Sequence, residues 1–146
     1  GAGGAAQTGA VAQIAAGGSY TTGILVLNTG AAAAPFSIQF YDDTGASLAL
    51  HFTTGSASTI AGTVPALGSA YYEASDPQIA TLTGSGQFSA GSSIVIQALF
   101  RNSVSGAFYE AAVPSTAGSK EFLIPFDATT FSATGQALVT GFAIAI

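Results

Sequence analysis

The sequence predicts an all-β chain, folded as a single antiparallel β-sandwich of jelly-roll or immunoglobulin-like type. Three observations lead there. First, 19 glycines punctuate the chain, Val, Ile, Thr, Phe and Tyr fill the intervals, and helix signals are weak. Second, Phe36, Ile38 and Phe40 alternate with Ser37 and Gln39, which is the period of a half-buried strand. Third, short strands recur at regular spacing in a chain of 146 residues, enough for one domain with a proper core.

In chain order, strands are expected at 8–15, 19–29, 34–42, 46–53, 57–64, 68–74, 78–83, 92–101, 106–113, 120–126 and 134–146. Eleven is one or two more than such a sandwich needs. The first ten residues, GAGGAAQTGA, are rich in Gly and Ala and carry no charge. Residues 1–16 are therefore set apart as an N-terminal arm or strand, and 17–146 as the sandwich domain. The run ILVL at 24–27 is apolar on both faces, as is IVIQALF at 94–100. Such strands belong in the middle of a stack or under a neighbour. Around residues 42–45, Leu48, Leu50 and Phe52 alternate with Ala49 and His51. With the Phe36–Phe40 strand they predict a hairpin that turns at Asp42, Asp43, Thr44 and Gly45. At the far end, Phe142, Ile144 and Ile146 share one face of a last strand. That strand closes its own sandwich or is added to a neighbouring subunit.

Composition narrows the function. Charged residues are 6% of the chain, against roughly a quarter in a typical soluble domain. Hydrophobic residues reach 49%, so this is not a disordered composition. A free monomer with so few charges is poorly protected against association. A surface buried in an assembly, or coated with glycan on Ser and Thr, accounts for it better. The net charge is −5, with Arg101 and Lys120 the only strong bases. Neutralising phosphates takes several Lys or Arg, so nucleic acid is not an expected partner. There is no Cys, hence neither a disulfide frame nor a thiolate metal site. Methionine is absent even at position 1, which leads us to expect a processed, secreted product. No apolar run approaches the ~18–20 residues of a spanning helix. A small outer-membrane barrel fits the length, but Trp is absent and several strands lack a polar face.

Several residues carry candidate chemistry. The stretch FYDDTGASL matches the loop that bears the catalytic Asp of pepsin-like and retroviral-type proteases. That chemistry needs two carboxylates sharing one proton, which one Asp-Thr-Gly supplies only in a symmetric dimer. The context departs from the motif. The residue before Asp43 is Asp42 where those proteases have an apolar one, and LFRNS at 99–103 has no Gly before Arg101. The competing reading is a turn, with Gly45 at positive φ. Asp42, Asp43 and Asp127 lack the oxygen density of a calcium loop. His51 is the one His, and no G-x-S-x-G elbow occurs, so neither a His-based metal site nor a Ser-His-Asp triad is expected. Tyr20, Tyr41, Tyr71, Tyr72 and Tyr109 could build a sugar-stacking platform or simply pack. Glu73, Glu110 and Glu121 are too scattered in sequence to propose a glycosidase pair. No catalytic residue, metal or cofactor is expected.

At GGSYTTGILVLNTG (17–30), FYDDTG (40–45), YEAAVP (109–114) and LIPFD (123–127) the chain resembles a β-sandwich module that recurs in large secreted and cell-surface bacterial proteins. The resemblance spans roughly residues 11–140. It implies a non-enzymatic extracellular role and a turn at the DDTG position. The larger proteins continue past the segment like TGQALV, whereas this sequence finishes at FAIAI.

The functional expectation is thus an extracellular structural protein, the subunit of a self-assembling filament or surface layer. Copies of the chain itself are its partners, joined by β-strand addition. Val11 and Ile14 at one end, and Leu138, Val139, Phe142, Ile144 and Ile146 at the other, are the candidate assembly residues. A carbohydrate- or surface-binding module, with glycans as partners, is the second reading.

Overall fold

The computed structural model describes residues 6–104, 106–115 and 117. The strands expected at 120–126 and 134–146 lie outside the described residues. Ten strands follow one another: β1 (Ala6–Ala16), β2 (Tyr20–Asn28), β3 (Ala34–Asp42), β4 (Leu50–Phe52), β5 (Gly55–Ala57), β6 (Thr59–Val64), β7 (Ser69–Ala74), β8 (Leu82–Gly91), β9 (Ile94–Val104) and β10 (Ala107–Pro114). The described residues are all-β and form two antiparallel sheets that pack face to face. One sheet has the order β1-β8-β3-β6 and the other β10-β9-β2-β7-β4-β5.

The pairing is nested. β1 pairs with β8, β2 with β7, β3 with β6 and β4 with β5. It is the pattern of one long hairpin rolled over itself, and it sends the chain from sheet to sheet at most connections. The β9–β10 hairpin is added outside β2.

Alternation places the core. In β3, Phe36, Ile38 and Phe40 point inward with Ala34. From the facing sheet come Ile24 and Val26 of β2, Leu50 and Phe52 of β4, and Ile94, Ile96 and Ala98 of β9. The Phe40 and Phe52 rings meet across the sandwich with centroids 5.9 Å apart. The both-face apolar runs occupy interior strands: β2 lies between β9 and β7, and β9 between β10 and β2.

Three expectations need correction. The strands flanking DDTG do not form a hairpin ladder, because β3 and β4 belong to different sheets. A hairpin begins, with a single bridge Tyr41–Ser47 and Leu48 N donating to Phe40 O at 3.0 Å. Then Phe40 N donates to Ser58 O at 2.8 Å, so the place beside β3 passes to the chain entering β6. β4 crosses to the other sheet, and the expected strand 46–53 shrinks to three residues. Residues 78–81 precede the strand rather than form it, and β8 runs from Leu82 to Gly91. Its glycines look like turn punctuation in sequence, yet Gly84 and Gly86 are buried ladder positions. Finally, the expected strand 57–64 divides into β5 and β6.

Candidate functional site

Three places gather the residues that sequence singles out: the DDTG corner, the slot holding β1, and the outer face of the six-stranded sheet.

At the corner, Asp42 Oδ1 accepts from Thr44 N at 2.8 Å, Thr44 Oγ1 at 2.7 Å and Ala46 N at 3.0 Å. This is an aspartate-centred turn, closed by Gly45 N donating to Asp42 O at 3.0 Å. Gly45 has φ of 86°, a conformation that disfavours any side chain. The Thr44 hydroxyl, followed by the Thr44 amide, holds the Asp42 carboxyl below the usual carboxylate range. Asp43 Oδ2 accepts from Thr83 Oγ1 at 2.6 Å, which fastens the corner to the start of β8. Asp42 therefore bonds within its own turn, and Asp43 ties that turn to β8. Among the described residues no three His, Asp or Glu side chains cluster as metal ligands.

His51 Nδ1 lies 2.7 Å from Asp76 Oδ2, linking β4 to the loop before β8. Asp76 Oδ1 accepts from Gln78 N at 2.9 Å. That amide, then His51, lowers the Asp76 carboxyl. The same loop clasps the β1–β2 turn. Gly18 N donates to Asp76 O at 3.0 Å, and Thr81 Oγ1 donates to Gly17 O at 3.1 Å.

β1 is the edge strand of the four-stranded sheet and, among the described residues, has a ladder partner only in β8. Its sequence AQTGAVAQIAA carries no charge and no Pro, so it lacks the usual protections of an edge. Val11 and Ile14 are fully buried in the common core. A register shift between them, in a β1 otherwise regularly paired with β8, turns both inward. Opposite them in the ladder stand Gly86 and Gly84. Those positions are small because β3 crowds them from the other side: Ile38 and Phe40 at Gly86, the Tyr41 carbonyl at Gly84. A second clamp reaches across from the facing sheet. The buried Thr22 hydroxyl donates to Ala15 O at 2.6 Å and accepts from Ala15 N at 3.1 Å. The covalent tie between β1 and the rest is the Gly17–Gly18 turn, with φ of 108° and 59°. Of the candidate assembly residues, Val11 and Ile14 thus share one slot. Leu138, Val139, Phe142, Ile144 and Ile146 lie outside the described residues.

The third place is the outer face of β2, β7, β9 and β10. Tyr71 is half-exposed there, and its phenol end occupies the space that a side chain at Gly23 would need. Tyr71 OH donates to Glu73 Oε2 at 3.0 Å. Partial burial, then that bond to a carboxylate, raises the phenol further above its ordinary value. Arg101 Nε donates to Glu110 Oε1 at 2.9 Å across the β9–β10 ladder. The tyrosines whose side chains are described do not form one platform, and the Tyr109 side chain lies outside what is described. Tyr72 turns inward and meets Phe36 edge-on at 5.9 Å between centroids, and Tyr20 is exposed at the start of β2. Sequence reasoning treated Glu73, Glu110 and Arg101 separately, because it could not foresee that β7, β2, β9 and β10 are successive neighbours.

No family model, no curated protein and no solved structure matches this chain.

Proposed function

We propose that the chain is an extracellular structural protein, the non-enzymatic subunit of a self-assembling filament or surface layer. Its copies join by β-strand addition, with β1 as the strand that moves. The observation that carries this reading is the state of β1: uncharged, at a sheet edge, buried through Val11 and Ile14, and tied on by two glycines. In a lone chain the strand fills its own slot. In an assembly the same strand, swung out about Gly17–Gly18, fills the slot of the next copy with the same contacts. Each copy then gives one strand and receives one, so the contact is head-to-tail and propagates as a fibre.

Magnitudes favour such an exchange over a loosely attached arm. Full burial of Val11 and Ile14 contributes about 3–6 kcal/mol, at about 1.5–3 each. The net stability of a domain is only about 5–15 kcal/mol. The slot must therefore be filled, either from within or from a neighbour. The low charge of the chain, 6% against roughly a quarter, supports an environment in which much of the surface is covered.

The same proposal reads the sandwich as a jelly roll. The nested pairs β1–β8, β2–β7, β3–β6 and β4–β5 support that topology, with β9 and β10 as an added hairpin.

Negative-stain microscopy of the concentrated, purified chain tests the reading. Filaments or sheets are expected. They should vanish when residues 1–16 are deleted, and a synthetic peptide of residues 1–16 should bind the shortened chain. Uniform monomers at high concentration would refute self-assembly. Unchanged polymers after the deletion would refute the role of β1 alone.

A further inference from the structure

We propose that the outer face of the six-stranded sheet carries a binding site for a neutral saccharide, centred on Tyr71. The site is separate from the slot of β1, which lies in the other sheet.

Its floor is built, not incidental. Gly23 sits in the ladder between Glu73 on β7 and Leu99 on β9. A Cβ at Gly23 would collide with the Tyr71 hydroxyl and come within 2.7 Å of the ring. The missing side chain therefore lets the tyrosine ring lean across the sheet instead of standing up from it. The bond from Tyr71 OH to Glu73 holds the ring in that position. Beside it is a shallow cavity of about 200 Å³, lined by Thr21, Gly23, Tyr71, Leu99, Arg101 and Glu110 among others. Drug-sized ligand pockets run from about 300 Å³ upward, so this one suits a single sugar ring of a longer chain.

The chemistry selects the ligand class. An exposed aromatic ring stacks against the C–H face of a sugar, which is apolar on that side and hydroxylated around its rim. Rim hydroxyls need donors and acceptors together. Arg101 has five N–H groups, and its Nε is engaged by Glu110 Oε1. Among the described residues Glu73 and Glu110 each keep a second carboxylate oxygen as acceptor, and charged groups make the stronger hydrogen bonds. Two carboxylates against one guanidinium leave the patch net negative, which disfavours phosphate, sulfate and uronate ligands. A neutral sugar uses the ring, the donor and the acceptors at once.

The test is affinity electrophoresis of the full chain in native gels holding neutral polysaccharides (a β-1,4-glucan, a β-1,3-glucan, a xylan and a galactomannan), with a polygalacturonate gel as the acidic counterpart. At least one should retard the wild type. Tyr71→Ala should weaken that retardation tenfold or more, Tyr71→Phe, which keeps the ring but loses its bond to Glu73, should weaken it less, and Arg101→Gln should weaken it while the thermal melt stays that of the wild type. Gly23→Val, which displaces the ring, should act like Tyr71→Ala. Wild type that none of the four retards overturns the proposal, as does retardation that survives Tyr71→Ala and Arg101→Gln. Preferential retardation by an acidic polysaccharide overturns the ligand class. Filament formation by Tyr71→Ala, scored in parallel, reports on self-assembly independently.

Discussion

Asn28 ends β2 as a buried side chain on which five hydrogen bonds converge. Its Nδ2 donates toward the carbonyls of Ala32, Val64 and Pro65 at 2.8–3.1 Å, and its Oδ1 accepts from Gly30 N at 2.9 Å and Ser93 Oγ at 2.8 Å. Gly30 has to be small, since a Cβ there would lie 2.8 Å from the Ser93 side chain. Replacing Asn28 with Ala strands several buried groups and should lower unfolding stability by about 2–4 kcal/mol, since each orphaned group costs about 1–3. Urea titration checks this, and a loss under about 0.5 kcal/mol would contradict it. The Asn-x-Gly pattern is readable in sequence, but its partners at 64, 65 and 93 are not, because the fold brings them from the end of β6 and from the β8–β9 turn. The carboxylates are a second case. Asp42 and Asp76 are both held below the ordinary carboxylate range in the folded chain. Their stabilising contribution is therefore complete above the unfolded value of about 3.9 and is lost as pH falls below it. The melting temperature should fall more steeply below about pH 4 in the wild type than in an Asp42→Asn, Asp76→Asn double variant. Parallel curves would contradict this. The DDTG turn was legible from its own residues because an aspartate-centred turn is a local device. What local reasoning missed is that the chain beyond it changes sheets, so that Phe40 O accepts from Leu48 N while Phe40 N donates to Ser58 O.

β8 is where element-scale reading failed and where its reason is clearest. Gly84 and Gly86 break the apolar alternation of LTGSGQF, so the strand is hidden in the sequence. In the fold both glycines are core positions between β1 and β3, whose side chains and backbone supply the missing volume. Gly84→Ala would drive its Cβ into the Tyr41 carbonyl. That obstacle is backbone and cannot swing aside, so the variant should separate β8 from β3 and lose about 1–3 kcal/mol or fail to fold. Gly45→Ala meets no neighbouring atom and strains only its own φ; it should cost about 1 kcal/mol. Comparing the two melts separates crowding from backbone strain, and a smaller loss at Gly84 than at Gly45 would contradict the assignment. β3 was legible for the opposite reason, since Phe36, Ile38 and Phe40 are all large, all inward, and regularly spaced. β1 was legible as a strand at 8–15, but its place in the core was not. Its burial depends on β8 and on Thr22, and Thr22→Val, which keeps the shape and removes both bonds to Ala15, should loosen β1 selectively. Hydrogen exchange should quicken in residues 6–16 before the rest of the sheet, and uniform quickening would count against a separable strand.

At the scale of the whole molecule, the two sheets have different outward chemistry. The four-stranded sheet shows Ser37, Gln39, Thr83, Ser85, Gln87 and Ser89 outward and no charge among them. The six-stranded sheet shows Leu25, Leu27, Val95 and Tyr71 with the Arg101–Glu110 pair. Low charge was plain from composition, whereas this division between faces needed the ladder registers. The central claim is that β1 of one copy occupies the slot of another. Because the chain has no cysteine, that claim can be tested by a single designed pair. Ala10 and Gln87 are directly opposite in the β1–β8 ladder, within the span a disulfide bridges. The chain carrying Ala10→Cys and Gln87→Cys should be concentrated until it assembles, oxidised, and run on a denaturing gel without reductant. Strand exchange predicts a ladder of covalent multimers that collapses to monomer on reduction. A single monomer band holding an internal disulfide would contradict it.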